Sequence, residues 1–549
     1  VQRRQRSHRP RRYGTDVRQG PHADPTPTRT MARSTLSLIL GAAVVPVVAG
    51  AQQAAPAPRA MALRDWYRVT TVSQPAVSPD GRRVAMTVTT VRESENKRHQ
   101  EVWVVPTAGG DPVRWTSPST ESSAPRWSPD GRYLVFTSNR PGGTGNTWAL
   151  RVDEPGGEAA QLRTLPSGSV PASGAFAVWA EAVPEDTTKR AADAFAKMAP
   201  MARPPFDAIT RPADPARFDG RHVVDMTYKS NERGFVPGRR TARTWRPAQL
   251  WTQTFGDTAK VQLTRTAYSH RTPVVSPDGA WIAFVADARL RPDSVVDLER
   301  DSLAKLPYDK ARDEAERNDV DVYVLPVAGG APRKVAEWMG AESDLTWSPD
   351  SKRLAFIGRP GRTKSARLLV VEAAGGTPRN LIGDWQYEPN DITWLVGGAL
   401  QFTADIGGRS AILRADLAGR AAPRELVGGR RRIAGASYDR AGKVLAYVAT
   451  SLTRPTELFV ATADGTGERK ATAFNDALNA EVAWADAERF TYRSVGDREI
   501  EAWLMKPHGW QPGKKYPVVL YIHGGPHSAY GEGWFDEFQN LAALGMYVL

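Results

Sequence analysis

Near the end of this 549-residue chain, His523-Gly524-Gly525-Pro526 follows the apolar run Val518-Val519-Leu520-Tyr521-Ile522. The run is short and rich in β-branched and aromatic residues, which predicts a buried strand over 518–522. Two glycines stand where that strand ends. Without a Cβ, such a turn lets backbone N–H groups come close to a reacting atom. N–H groups aimed at one point stabilise negative charge developing on oxygen. His523, Gly524 and Gly525 are therefore the candidate site residues, the place where such chemistry could be done. A plain Gly-Pro turn after any strand would look the same, so the case depends on what precedes it.

Other chemistries are narrowed by residue type. There is no cysteine, which removes disulfides, thiolate metal sites and cysteine nucleophiles. No serine sits between two glycines in a Gly-x-Ser-x-Gly elbow, and His523 and His527 are the last two histidines. The aspartates of a repeated motif (Asp80, Asp130, Asp278 and Asp350) belong to separate turns and are not assigned to a metal. No cofactor is expected.

The elements that must position the site are repeats. Ser78-Pro79-Asp80-Gly81, Ser128-Pro129-Asp130-Gly131, Ser276-Pro277-Asp278-Gly279 and Ser348-Pro349-Asp350-Ser351 each stand between two apolar runs. Pro sets φ at the first central turn position, Asp tolerates the second, and Gly accepts the left-handed conformation that closes a hairpin. Ser351 replaces that glycine, so the fourth turn is expected to be strained. A second signature, a strand followed by Ala-Gly-Gly, recurs at 108–110, 328–330 and 374–376. Repeats of about 40–50 residues made of short strands predict propeller blades. Degenerate copies at 392–398 and 436–442 add two blades, and the 148 residues from Ser128 to Ser276 leave room for one more near 174, which makes seven, starting near 75, 124, 174, 272, 344, 391 and 435, with six and eight as the alternatives. Trp127 and Trp347 occupy equivalent positions and read as blade core. Residues 186–202, with a helical piece at 191–198, and the charged, helical stretch 290–320 read as surface insertions.

Composition agrees with a large all-β component: 47 Gly, 42 Pro and 17 Trp imply many turns and bulky strand cores. At 549 residues one domain is not enough. The formal charge of +13 is concentrated at the start, since residues 1–51 hold nine arginines and two aspartates. The remaining +6 over nearly 500 residues points to no nucleic-acid partner. Residues 31–51 run from Met31-Ala32-Arg33 through an apolar core to Ala49-Gly50-Ala51. This is the pattern of a secretory signal peptide cleaved after Ala51, short and small-residue-rich for a stable membrane span, with an uncleaved anchor as the rival reading. Residues 1–30 are then read as an upstream, mistranslated extension, and 52–62 as a linker. Export to a periplasm or the exterior is expected, and the absence of cysteine is compatible with it.

The pattern changes after about residue 488. Segments 490–494 and 500–507 predict an antiparallel pair joined by 495–498. Residues 535–544 predict an amphipathic helix with Phe535, Phe538, Leu541 and Ala542 on one face, ended by Gly545. Met546-Tyr547-Val548-Leu549 predicts another strand. Strand, helix, strand opens a wound α/β sheet.

The Ser-Pro-Asp-Gly repeats, segment 500–507, Tyr516 to Pro526 and the 535–549 helix-strand together resemble the prolyl oligopeptidase family of serine peptidases, in its acylaminoacyl-peptidase or dipeptidyl-peptidase-like branch. The resemblance implies an all-β propeller over 63–488 and the start of an α/β-hydrolase domain over 489–549. It implies hydrolysis of short peptides through an acyl-enzyme, with the propeller restricting access. His523-Gly524-Gly525 matches the family's oxyanion turn, with His523 where some relatives carry tyrosine. The departure is the triad: its Ser, Asp and His find no match in this sequence and are expected beyond Leu549, so the chain is read as an inactive fragment. A non-catalytic, TolB-like propeller that binds protein partners is the alternative, and an esterase with a propeller cap would share the same chemistry.

Overall fold

The computed structural model describes residues 57–141, 147–153, 157–183, 245–304, 306, 307, 309, 319–338, 340–361, 364–525 and 528–549. The signal-peptide and cleavage-site readings at 31–51, the extension at 1–30 and the helical piece at 191–198 lie outside them. Among the described residues, seven antiparallel sheets of three or four strands follow one another, over 71–114, 122–151, 176–262, 271–336, 341–380, 390–427 and 432–470. Each is a meander whose strands are neighbours in sequence.

The middle strands each carry a run of buried apolar residues because both faces of each sheet are covered by neighbouring sheets. Met86, Phe136, Phe284, Phe356, Phe402 and Tyr447 are all buried there. Ala85, Val102 and Val104 of the first sheet share a core with Leu134, Phe136 and Leu150 of the second. The fourth and fifth sheets meet through Val322, Val324, Leu354 and Phe356. The series closes on itself: Val72, Val77 and Met86 of the first sheet pack against Ala446, Val448 and Leu458 of the seventh. Hydrogen bonds support this closure: the Val77 N–H donates to Ser437 Oγ at 3.1 Å, the Arg440 N–H to Pro79 O at 3.4 Å, and the Arg469 guanidinium to Thr107 O. A closed ring of meanders is a β-propeller.

The repeated turns fold as their residue types require. In the first, Ser78 Oγ donates to Asp80 at 2.6 Å and accepts the Arg83 N–H at 3.0 Å, while Asp80 also accepts the Arg82 N–H. The same bonds recur around Ser128, Ser276 and Ser348. The motif aspartates thus serve their own turns. The third sheet uses 171–174, where Gly174 N–H donates to Pro171 O. Ser351 adopts φ +59°, the strain expected of it, and its Oγ accepts the Asp278 N–H of the neighbouring turn at 3.1 Å. Ser351→Gly relieves about 1 kcal/mol of backbone strain and removes an exposed hydrogen bond worth about 0.5–1 kcal/mol. Chemical denaturation should therefore place this variant within about 0.5 kcal/mol of the parent.

Trp127 and Trp347 lie at the blade seams. Each donates its indole N–H to a carbonyl of the preceding sheet's first strand, Trp127 to Ala76 O at 2.8 Å and Trp347 to Val274 O at 3.0 Å. Trp347→Phe keeps most of the packing and removes the indole donor from that half-buried carbonyl, so a loss of about 1 kcal/mol is expected in a denaturant titration.

One repeated feature was not anticipated. The first strands carry a bulge at Gln74, Ala124, Thr272, Asp344, Asp391 and Gly435, each four residues before its turn and each with φ between +47° and +66°. The bulge adds one residue and bends the strand.

Two expectations need correction. The proposed linker 52–62 is tied down in its described part: Arg59 exchanges backbone hydrogen bonds with Glu481 and Ala483, and Met61 is buried against Val69, Leu478 and Val482. The boundary at 488 falls inside strand Ala487–Arg493, so the changeover lies between Lys470 and Ala487. In the charged stretch 290–320 the expected helix is present as Asp293–Ala304, and residues 310–318 lie outside the described residues.

The C-terminal sheet is mixed. Strands Ala487–Arg493, Glu499–Met505, Tyr547–Val548 and Val518–Val519 lie in that order, the last two parallel. Helix Asp536–Ala543 joins them and buries Ala542, with Phe538 and Leu541 beside it, against Leu452, Ala487 and Met505. Gly545, at φ +86°, ends the helix as expected.

Candidate functional site

Val518–Val519 pairs with Tyr547–Val548, and the chain continues in register as Tyr521 N–H donates to Leu549 O at 2.7 Å. The strand predicted over 518–522 is thus only two residues long. It is also not buried: Val518, Leu520 and Ile522 are 60%, 62% and 75% exposed. The physical reason is one-sided pairing, with no described element packed on the face these three residues share.

His523, Gly524 and Gly525 follow directly, at the carboxyl end of this parallel strand. His523 is exposed, and its Nδ1 lies 2.9 Å from Gly524 O. Gly525 adopts φ +136°, a conformation that a side chain resists. At Gly524 an added Cβ would meet nothing within 4 Å. The three residues therefore lie in open space, with N–H groups on a turn that projects from a strand end. Pro526 and His527 lie outside the described residues.

Behind the turn sits an aromatic cluster that no motif or spacing singles out. The Tyr521 ring packs edge-on against Tyr530, Phe535 and Phe538, at centroid distances of 5.4, 6.2 and 5.2 Å. Its hydroxyl donates to Glu537, and that bond pushes the phenol up to about 12.

The propeller loops facing this region connect second and third strands, around Gly408 and Leu452. In a meander these loops lie at the opposite end of the sheet from the Ser-Pro-Asp-Gly turns. Two cavities of about 360 and 330 Å³ lie among those turns and share Arg440 in their linings; neither includes 523–525.

The N-terminal segment joins the same assembly. Met61 and Trp66 meet Leu478, Val482, Trp484 and Trp534 in one apolar cluster. Arg59 binds Asp65 at 2.6 Å and Arg68 binds Glu481 at 2.7 Å. The Arg59 guanidinium holds the Asp65 carboxyl below its usual range. No helix among the described residues is long and apolar enough to cross a membrane.

Comparison with known proteins was made against this geometry. No family model matches the chain. The chain is 27% identical over 506 residues to a protein named uncharacterized peptidase YuxL from Bacillus subtilis, covering 88% of this chain and 69% of that protein. It is 24% identical over 278 residues to dipeptidyl-peptidase 5 of Aspergillus fumigatus, covering 49% of this chain but 36% of the fungal protein. In fold it is similar to Pyrococcus horikoshii acylaminoacyl peptidase, with a TM-score of 0.56 at 18% identity over 88% of this chain and 64% of that one. It is also similar to a puromycin-hydrolyzing peptidase of Mycobacterium tuberculosis, with a TM-score of 0.57 at 14% identity over 90% of this chain and 68% of that one. The chain thus spans about a third to two thirds of the length of these relatives.

Proposed function

We propose that this chain supplies the propeller and the oxyanion side of a serine peptidase of the prolyl oligopeptidase family, an enzyme that hydrolyses short peptides; its similarity to proteins named as peptidases supports this reading. The observation that carries this reading is the placement of 523–525. They stand at the carboxyl end of a strand, Val518–Val519, whose parallel partner Tyr547–Val548 is reached through helix Asp536–Ala543. In wound α/β sheets the groups that act on a ligand gather at the carboxyl ends of parallel strands. His523, Gly524 and Gly525 would there donate to the tetrahedral oxyanion formed when a serine attacks a peptide carbonyl.

In this reading the seven antiparallel sheets are seven blades, and the mixed sheet is the first part of an α/β-hydrolase domain. The nucleophilic serine and its Asp and His partners come from outside residues 1–549, since the sequence holds no Gly-x-Ser-x-Gly elbow. The propeller restricts access to short or unstructured peptides, and the protein is exported through residues 31–51.

The test is to extend the coding sequence past Leu549 and express its product. An elbow, then Asp, then His, together with fluorophosphonate labelling and release of arylamine from peptide arylamides, is the expected result. A stop codon directly after Leu549, or a complete product that takes up no label, would overturn the catalytic reading in favour of a propeller that binds protein partners.

A further inference from the structure

We propose that residues 531–534 form a strap that fixes the oxyanion turn to the propeller, with Glu532 as its positioning residue. The catalytic side of this inference rests on the function proposed above.

The strap begins with two backbones in contact. Glu532 N–H donates to Gly408 O at 2.8 Å, and Gly408 N–H donates to Glu501 Oε2 at 3.1 Å. A Cβ on Gly531 would lie 2.1 Å from Gly408 O. A Cβ on Gly408 would lie 2.2 Å from the Trp503 ring and 2.9 Å from Gly531 Cα. Neither glycine has a positive φ. What requires glycine at 408 and 531 is therefore the closeness of approach, not the backbone conformation.

Glu532 then enters the seam with 4% of its surface exposed. Its Oε1 accepts the Trp503 indole N–H at 3.1 Å, and its Oε2 lies 3.4 Å from Arg430 Nε. Arg430 is itself held by Asp486 and by the carbonyl of Ala487. A buried carboxylate with a donor on each side has one favourable position, because displacement would leave charge unpaired away from water. Next, Gly533 lies against Arg432, and Trp534 N–H donates to Thr450 Oγ1 at 3.2 Å. Each of the four residues thus meets the propeller, at the loops around Gly408 and Arg430 and at the ends of strands Arg432–Tyr438 and Val444–Ser451.

The strap's flanks face the other way. Tyr530 and Phe535, the residues on either side of it, both pack on the Tyr521 ring. Tyr521 lies two residues before His523. A displacement of the propeller loop at Gly408 is therefore passed to the strand that ends in the oxyanion turn, through backbone contact and then aromatic packing. Misplacement of a catalytic group by about 1 Å can cost a hundredfold in rate, so a turn on an exposed strand end needs such an anchor.

Hydrogen exchange on the 549-residue chain tests the anchor without reference to activity. Gly531→Ala, a methyl wedge in the seam, and Glu532→Ala should each speed exchange at 519–525 at least tenfold, while strand Tyr133–Ser138 of the second sheet keeps its parent rate. Glu532→Gln still accepts the Trp503 indole and should restore most of the protection. If Gly531→Ala does not fold, the contrast between Glu532→Ala and Glu532→Gln decides alone. Unchanged exchange at 519–525 in Glu532→Ala overturns the proposal, as does equal loosening in Glu532→Gln. In a catalytically complete enzyme, Glu532→Ala should lower kcat about 10- to 100-fold with KM unchanged, and Glu532→Gln should recover it. Were the protein no peptidase, the exchange result would still stand or fall by itself.

Discussion

Gly525→Ala, made in a catalytically complete enzyme that contains this chain, is expected to lower kcat for a peptide arylamide by about 100- to 1000-fold and to change KM little. Gly525 holds φ +136° in a turn at the carboxyl end of strand Val518–Val519. A methyl group there forces the backbone toward negative φ. That rotation swings the local N–H groups away from the point where charge develops in the transition state. The loss falls on kcat because the hydrogen bond is weak to a ground-state carbonyl and strong to an alkoxide. Gly524 is a built-in comparison: its φ is not left-handed and a Cβ there meets nothing within 4 Å, so Gly524→Ala should cost much less. The turn is exposed, and the thermal midpoint of Gly525→Ala should stay close to the parent's. Steady-state kinetics on the two variants would decide the matter. Equal activity in both, or a loss confined to KM, would remove 523–525 from the oxyanion role.

The second large effect concerns stability. Glu342, on strand Ala341–Trp347, is 5% exposed, and neither carboxylate oxygen has a hydrogen-bond partner among the described residues. Removal from water, then the nearby charges of Asp321 and Asp319, push its carboxyl up to about 9, against a smaller opposing pull from Lys334. Asp321 is itself buried and raised, chiefly by desolvation, with Lys334 Nζ 2.6 Å away. Below the ordinary glutamate range both folded and unfolded chains hold the proton, and Glu342 favours neither. Above it the unfolded chain releases the proton while the folded chain keeps it. Stability therefore falls as pH rises toward about 9, by up to about 1.4 kcal/mol per pH unit. Glu342→Gln removes the titration. Denaturant titrations at pH 5 and pH 8 should show the variant close to the parent at the lower pH and more stable by about 3 kcal/mol or more at the higher. Parallel pH profiles for parent and variant would refute this account.

Much of the ring could be read in advance because its determinants are local. Ser, Pro, Asp and Gly each act on the backbone within a residue or two, so four copies of that string announce four hairpins wherever the rest of the chain goes. Apolar runs beside them announce strands, and their uninterrupted character announces burial on both faces. The turn at 171–174 and the bulges at 74, 124, 272, 344 and 391 had no such announcement. Left-handed Gln, Ala, Thr and Asp residues carry no distinctive sequence signal, because the strain is imposed by the packing of the first strands and not chosen by residue type.

The sequence by itself determined the repeat, its hairpins, the amphipathic helix near the end, and the Gly-Gly turn at a strand terminus. Tertiary structure alone decided what those pieces touch. It joined the first sheet to the seventh across more than 350 residues, and it tied Arg59 to Glu481. It brought Gly408 against Gly531 and buried Glu532 between Trp503 and Arg430. It also left Val518, Leu520 and Ile522 uncovered, although their residue types predict burial. Periodicity states which face of an element is apolar, but burial also requires a second surface, and no local pattern specifies where in the chain that surface comes from.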